Sequence, residues 1–218
     1  MFATRRPDAE AASGGIRAPV QARSRRVLEK VLASAEHVLS TQGFDDFTIA
    51  AVAEHAGVSI GGIYRRFEAK EQLIAAVKDR LLTRLEQDLS ERLHDAGPDL
   101  AGVVEAFTHS LADAFASGSR VFPDLIRNPR RSEMVERGQL ALVVFNDLFQ
   151  QAAAPHLDEV RRHDPVAALH VVERAITGAM VHRAVLDDPE DGLTWEEYAD
   201  QLSDMALTYL STPERPRS

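Results

Sequence analysis

Apolar residues recur at helical spacing along most of the chain, and no strand-like alternation persists beyond a few positions. A first helical stretch covers residues 22–41, with Val27, Val31, Ala35 and Val38 on one stripe and Gly43 as its stop. Thr48 is placed to cap a short helix ending near His55, which Gly57 breaks. Ser59 is placed to cap a third helix reaching Arg66. A fourth begins near Ala69 and continues to about His94, where Gly97 and Pro98 end it.

Prolines punctuate the remainder. Residues 99–116 carry Leu100, Val104, Phe107, Leu111 and Phe115 on a single face. Residues 119–127 form a short stretch interrupted by Pro123, as suits a first turn or a bent connector. After Pro129, a stretch to Ala154 has Met134, Ala141, Phe145, Leu148 and Ala152 in line. Asp164 followed by Pro165 is an N-cap with proline at the first helical position, and that helix runs to about Leu186. Thr194 caps a last helix with Trp195, Tyr198, Leu202, Met205 and Tyr209 on one side, ended by Pro213. The pattern predicts an all-α chain of about nine helices. Within it, residues 166–186 are apolar on more than one side. That fits a central core helix, or a helix with one face in the core and the other against a second subunit.

Composition narrows the class. The chain has 218 residues, 44% of them hydrophobic and 27% charged, an ordinary globular mix that excludes wholesale disorder. Without cysteine there is no disulfide framework, no thiolate metal site and no Cys nucleophile. Apolar runs such as residues 141–145 fall far short of the ~20 residues a membrane span needs. The N-terminus lacks the apolar stretch of a secretory signal. A soluble cytoplasmic protein that makes no membrane contact is expected. The net charge is −9, but it is unevenly divided. Up to Gln72 there are 10 basic and 9 acidic residues; from Leu73 onward there are 15 and 25. A near-neutral front end on an acidic body is compatible with a small nucleic-acid module attached to something else.

Residues 47–67 carry the candidate chemistry. Two short helices fit there, joined by the Ala56-Gly57-Val58 turn and held at an angle by Ile49, Val52, Ala53, Val58 and Ile63. That is the composition of a helix-turn-helix. Gly61 and Gly62 inside a helix cost ~1 kcal/mol each relative to Ala, which makes sense where another backbone must come close. Tyr64, Arg65, Arg66 and Lys70 then supply a hydroxyl and three cations within two turns. The plainer alternative is a helical hairpin with a solvated basic face.

At these residues the chain resembles the tetracycline-repressor (TetR) family. The run from Ala56 to Phe67, followed by Lys70-Glu71-Gln72-Leu73, is similar to that family's pattern AGVS-x-G-[TSA]-[LI]-Y-x-[HY]-F-x-[SN]-K-[ED]-x-L. Ala35, Leu39, Gly43-Phe44 and Thr48-Ile49-Ala50 add upstream support. The resemblance implies that Thr48 and Tyr64 hold phosphates, Ser59 caps the recognition helix, and Ile60 and Gly61 face base edges. It also implies that Lys70 binds a phosphate together with the amides that open the fourth helix. Two positions depart from the pattern. Gly62 stands where a hydroxyl residue or Ala is usual, removing one phosphate contact, and Arg66 stands where an imidazole is common. Because Ile60 offers only apolar contact, base reading falls partly on Arg65 and on Arg23, Arg25 and Arg26.

For the body, the resemblance implies a homodimer built through the last two helices and a small-molecule effector between the fourth helix and residues 99–154. The candidate lining is Leu85, Leu89, Phe107, Leu111, Phe115 and Phe122 on one side. Leu125, Met134, Leu142, Phe145, Asn146 and Phe149 complete it. The concentration of phenylalanines there points to an apolar or aromatic effector, with plain core packing as the alternative for each residue. The expected divisions are a tail over 1–20, a DNA-binding unit over 21–75, an effector and dimerisation unit over 76–212, and a tail over 213–218.

Other motifs compete less well. Gly57-Val58-Ser59-Ile60-Gly61 matches the G-x-S-x-G of a hydrolase elbow, but that chemistry needs a strand before the serine, and a helix precedes it here. No two histidines stand four apart, and no two-His-plus-carboxylate cluster appears, so neither metal nor cofactor is expected. Glu105 and His109 read as an exposed or interhelical pair, and His170, Glu173 and Thr177 as side chains that satisfy one another, with the lining of a pocket as the alternative. The expectation is a non-enzymatic, ligand-responsive regulator binding double-stranded operator DNA, most plausibly a repressor. An α-helical carrier or enzyme with an incidental basic front end is the alternative.

Overall fold

The computed structural model describes residues 20–116, 121, 125–126, 132–186 and 192–214. Among these it forms eight helices: α1 (Val20–Gln42), α2 (Ile49–Ala56), α3 (Ile60–Tyr64), α4 (Lys70–His94), α5 (Leu100–Ala116), α6 (Ser132–Ala153), α7 (Pro165–Val185) and α8 (Trp195–Ser211). A 3-10 turn, Ala154–Glu159, follows α6. No strand occurs among the described residues. The short helix expected over 119–127 lies mostly outside them, as do Phe122 and most of both tails.

The helix ends follow from local chemistry. Asp164 accepts the Ala167 amide at 3.0 Å and precedes Pro165, whose missing N–H costs nothing in a first turn. Thr194 and Glu197 form a reciprocal capping box at α8: the threonine hydroxyl takes the Glu197 amide and the glutamate takes the Thr194 amide. At α5, Asp99 accepts the Gly102 amide at 2.9 Å, and the Glu159 carboxylate, far along the chain, accepts that of Leu100. Gly97 and Gly102 touch backbone to backbone there. A Cβ on Gly102 would lie 2.6 Å from the Gly97 Cα, so no larger residue fits.

Packing divides around α4. Its first turns bury Leu73, Ile74 and Val77 against Val31, Ala35 and Leu39 of α1, Phe47, Val52 of α2 and Ile63 of α3. Its later turns bury Leu81, Leu85, Leu89 and Leu93 in a body made with α5, α6, α7 and α8. Ion pairs repeat the pattern. Arg80 pairs with Glu29 of α1, and Arg84 Nη2 lies 2.6 Å from both carboxylate oxygens of Glu36. On the other side, Arg137 of α6 donates to Asp79 at 2.6 Å and to Glu86 at 2.7 Å. Burial works against that guanidinium, but its hydrogen bonds to Glu86 and Asp79 raise its pKa further. The boundary expected after residue 75 thus falls inside an unbroken helix that both units share.

The two readings of residues 166–186 separate here. Within one chain α7 buries Ala168, Leu169, Val172, Ile176 and Met180, while Val166, Val171 and Gly178 stay exposed. One apolar face of α7 is therefore uncovered.

Candidate nucleic-acid interface

The turn between α2 and α3 is fixed by backbone bonds that need glycine. Gly57 adopts φ 60° and ψ 41°, a left-handed conformation costly to a residue with a Cβ. Its amide donates to the Glu54 carbonyl at 3.1 Å, and the Val58 amide reaches back to Ala53 at 3.0 Å. These two bonds close a Schellman motif that satisfies the last carbonyls of α2. At the other end of α2, the Ala51 amide donates to Thr48 Oγ1 at 3.1 Å. The next helix opens the same way, with the Gly62 amide donating to Ser59 Oγ at 3.1 Å. Ser59 therefore sits at a helix N-cap after a helical turn, which is not the strand-borne elbow a serine nucleophile requires.

α3 is short and two-sided. Ile63 is fully buried and holds the helix against α2, while Ile60 is 46% exposed and Tyr64 50% exposed on the outer face. A Cβ built on Gly61 would meet nothing within 4 Å. Among the described residues nothing requires a glycine at that place. Gly62 differs, because its Cβ would lie 3.1 Å from the capping Ser59 Oγ. Arg65 is exposed beside Tyr64. Arg66 is turned toward α1, donating to Ser24 Oγ at 2.9 Å, so it braces the entry of α1 instead of standing free on the outer face. Arg23, Arg25 and Arg26 are exposed nearby in sequence to that contact.

Lys70 opens α4, with its ammonium 5.5 Å above the Phe47 ring. Ala69 at the cap supplies no side-chain acceptor, which leaves amides at that N-terminus open to an anion. His55 is committed elsewhere, bonded to Ser34 Oγ at 3.0 Å and stacked on His37.

The candidate effector residues separate into two groups. Leu85, Leu111, Phe115, Leu125, Leu142 and Phe145 surround a cavity of about 270 Å³ between α4, α5, α6 and α7. Leu89, Phe107, Met134 and Phe149 are buried outside it, with Phe107 and Phe149 in ring contact at 4.8 Å. Their apolar spacing is that of core packing. Asn146 lines a second hollow beside Glu173 and Gly178, and its Oδ1 lies 2.8 Å from His170 Nδ1. Glu173 is buried and accepts the Thr177 hydroxyl at 3.0 Å. Burial pushes its carboxyl above the ordinary range, opposed by Thr177, Arg174 and His170. The trio thus divides, His170 bonding across to α6 and Glu173 along its own helix. His109 pairs with Asp200 of α8 at 3.1 Å, an interhelical contact that does not involve Glu105. Among the described residues no group of three or more potential ligands could hold a metal, and no helix is long and apolar enough to cross a membrane.

The cavity also contains residues that spacing alone did not single out. Lys78, one of three lysines in the chain, interrupts the apolar stripe formed by Ile74, Leu82 and Leu85. A cation in such a stripe is the signal that would have marked it.

Residues 31–77 match the family of bacterial regulatory proteins described as tetR. The uncharacterized HTH-type transcriptional regulator YvdT of Bacillus subtilis (strain 168) is 36% identical over 66 residues, 30% of this chain and 34% of that protein. The chain thus matches about a third of this curated relative's length. Solved structures extend the similarity to the body. A putative TetR-family transcriptional regulator from Mesorhizobium loti has a TM-score of 0.68 at 16% identity, covering 85% of this chain and 97% of that one. The transcriptional regulator FadR from Bacillus subtilis, in complex with stearoyl-CoA, has a TM-score of 0.63 at 13% identity, covering 83% and 98%. At these identities the likeness of the body is one of fold.

Proposed function

We propose, from the membership of residues 31–77 in the tetR family of bacterial regulatory proteins, that this chain is a ligand-responsive transcriptional regulator. It binds duplex DNA through α3 and lets go when a small molecule occupies the cavity between α4 and α7. It acts without catalysis, in the cytoplasm, and most plausibly as a repressor. The observation that carries the DNA reading is the outer face of α3, where Gly61 has open space around it and Ile60 and Tyr64 are exposed. A glycine in the first turn of a helix, which no described neighbour requires, makes sense where an outside surface must approach the backbone closely. Ile60 then meets base edges in the major groove, while Thr48, Tyr64 and Lys70 hold phosphates. Arg65 supplies a further cation, and Arg66, tied to Ser24, reaches the backbone from the α1 side.

Two copies pair through α7 and α8. The uncovered face of α7, with Val171 and Gly178, and the exposed Met205 of α8 support that reading. A two-fold pair presents two α3 helices, which reach successive major grooves when their centres stand ~34–36 Å apart.

A salt-dependent shift assay with the DNA flanking the chain's own gene tests this function. Specific binding whose logarithm falls linearly with the logarithm of salt is expected. Tyr64→Ala and Lys70→Ala should each lower affinity for all sequences and reduce the slope by about one ion. Unchanged affinity and slope in both variants would leave a small-molecule carrier as the better reading. Light scattering should report a dimer, and a monomer at micromolar concentration would sink the pairing.

A further inference from the structure

We infer that the cavity takes an apolar acid, whose carboxylate is held by the Lys78 ammonium while its hydrocarbon body lies against Leu85, Leu111, Phe115, Phe145 and Met180. This gives a chemical class to the effector and rests on the regulator reading only for what binding does to DNA.

Lys78 projects from α4 into a mostly apolar wall, in which it is the one charged side chain among the described residues, and it is only 8% exposed. Among the described residues its ammonium has a single hydrogen-bond partner, the Met134 carbonyl at 2.7 Å, and no ion-pair partner. Two acids of the same helix, Asp79 and Glu86, are already taken, since Arg137 holds both. A buried cation with donors to spare is costly, and an anionic partner offsets that cost through charge-assisted hydrogen bonds. Space for such a partner exists. The residue facing the ammonium is Gly138, whose Cβ would stand 3.4 Å from Nζ, so the absence of a side chain leaves the lysine open on that flank. Burial and the neighbouring Arg137 lower the lysine pKa, and a bound carboxylate would reverse that direction. Apart from Thr177 and Gln139, the remaining side chains of the lining are hydrocarbon and aromatic, which suits the body of the molecule. A volume of about 270 Å³ restricts it to a small one.

The molecule contains its own reporter. Its single tryptophan, Trp195, stacks on Phe115 at 5.4 Å, and Phe115 lines the cavity. The full-length protein should be titrated with octanoate and 4-phenylbutyrate and with the neutral 1-octanol and 4-phenyl-1-butanol, following Trp195 emission. At least one acid should bind about tenfold or more tighter than its alcohol. Lys78→Met should abolish that preference and Lys78→Arg should keep it. Alcohols binding as tightly as the acids, a preference that survives Lys78→Met, or no saturable response to either acid would overturn the inference. The comparison in the unmodified protein stands even if Lys78→Met fails to fold. A parallel shift assay separates the two readings. Lys78-dependent acid binding without release of DNA upholds the anchor and sinks the switching function, whereas release by the alcohols, independent of Lys78, does the reverse.

Discussion

One nitrogen of Arg84, Nη2, lies 2.6 Å from both carboxylate oxygens of Glu36, joining the middle of α4 to α1. Arg80 makes a parallel link to Glu29 one turn earlier. Since α4 also forms a wall of the cavity, these contacts connect the cavity to the DNA-reading unit. Arg84 is about half exposed, so its ion pair contributes less than ~1 kcal/mol to stability. We therefore expect Arg84→Met to lower the melting temperature slightly but to weaken the effect of an effector on DNA affinity. The ratio of DNA dissociation constants with and without effector is the measurement. A ratio equal to the parent's would show that the signal does not pass through this contact.

Gly61 gives a test in which stability and function move oppositely. Because a Cβ there meets nothing and the backbone is not left-handed, Gly61→Ala should stabilise the folded chain by up to ~1 kcal/mol. The same methyl group would stand on the surface proposed to approach DNA, so affinity should fall. Urea unfolding and a shift assay on one preparation would show both changes. A variant more stable and equally tight on DNA would remove Gly61 from the interface.

The phenylalanines of the body should also part company. Phe107 and Phe149 are fully buried and pack on each other away from the cavity, so truncating either to Ala should cost ~3–5 kcal/mol. Phe145→Ala enlarges an existing cavity instead of opening a new one. Its stability cost should be smaller, with the larger change in which molecules bind. Denaturant midpoints for the three variants, beside their ligand titrations, decide this.

Glu173 predicts a pH dependence. Burial raises its folded-state pKa above the ordinary value of 4.5. The folded chain therefore retains a proton that the unfolded chain has lost. The stability this gives is fully present below 4.5 and is lost as pH rises through the folded pKa. Glu173→Gln keeps the shape and removes the ionisation. Its melting temperature relative to the parent should rise as pH is raised from below 4.5 through the folded-state pKa. A difference that is constant across pH would mean that the carboxyl titrates alike in the folded and unfolded chains.

Most helices were legible because the residues that end them are local. Thr48, Ser59, Asp164 and Thr194 cap within three residues, and Gly57 closes its turn with its own neighbours. The two-sidedness of α3 was legible for the same reason, since Ile60 and Tyr64 are exposed and Ile63 is buried on a single turn. The cavity was harder. Helical spacing marks Phe107, Phe115, Phe145 and Phe149 alike as inward-facing, and only the crossing of α5 with α6 decides which face each other and which face a void. Arg66 illustrates the same limit: its bond to Ser24 spans 42 positions, beyond anything periodicity reports. Lys78 was missed because a lone lysine on a helix reads as a solvated charge until the opposing Met134 and Gly138 are in place.

The continuity of α4 bears on how this chain could be rebuilt. A foreign reading head grafted at residue 75 would be spliced in mid-helix and would inherit Arg80 and Arg84 from the recipient. Those two arginines would then face whatever first helix the donor brought. A chimera should transmit its signal only if the donor's first helix presents carboxylates where Glu29 and Glu36 stand. Compatibility of parts is therefore written in two acidic positions of α1, outside both the α3 face and the cavity lining, and a new reading head can be fitted while these are conserved by hand.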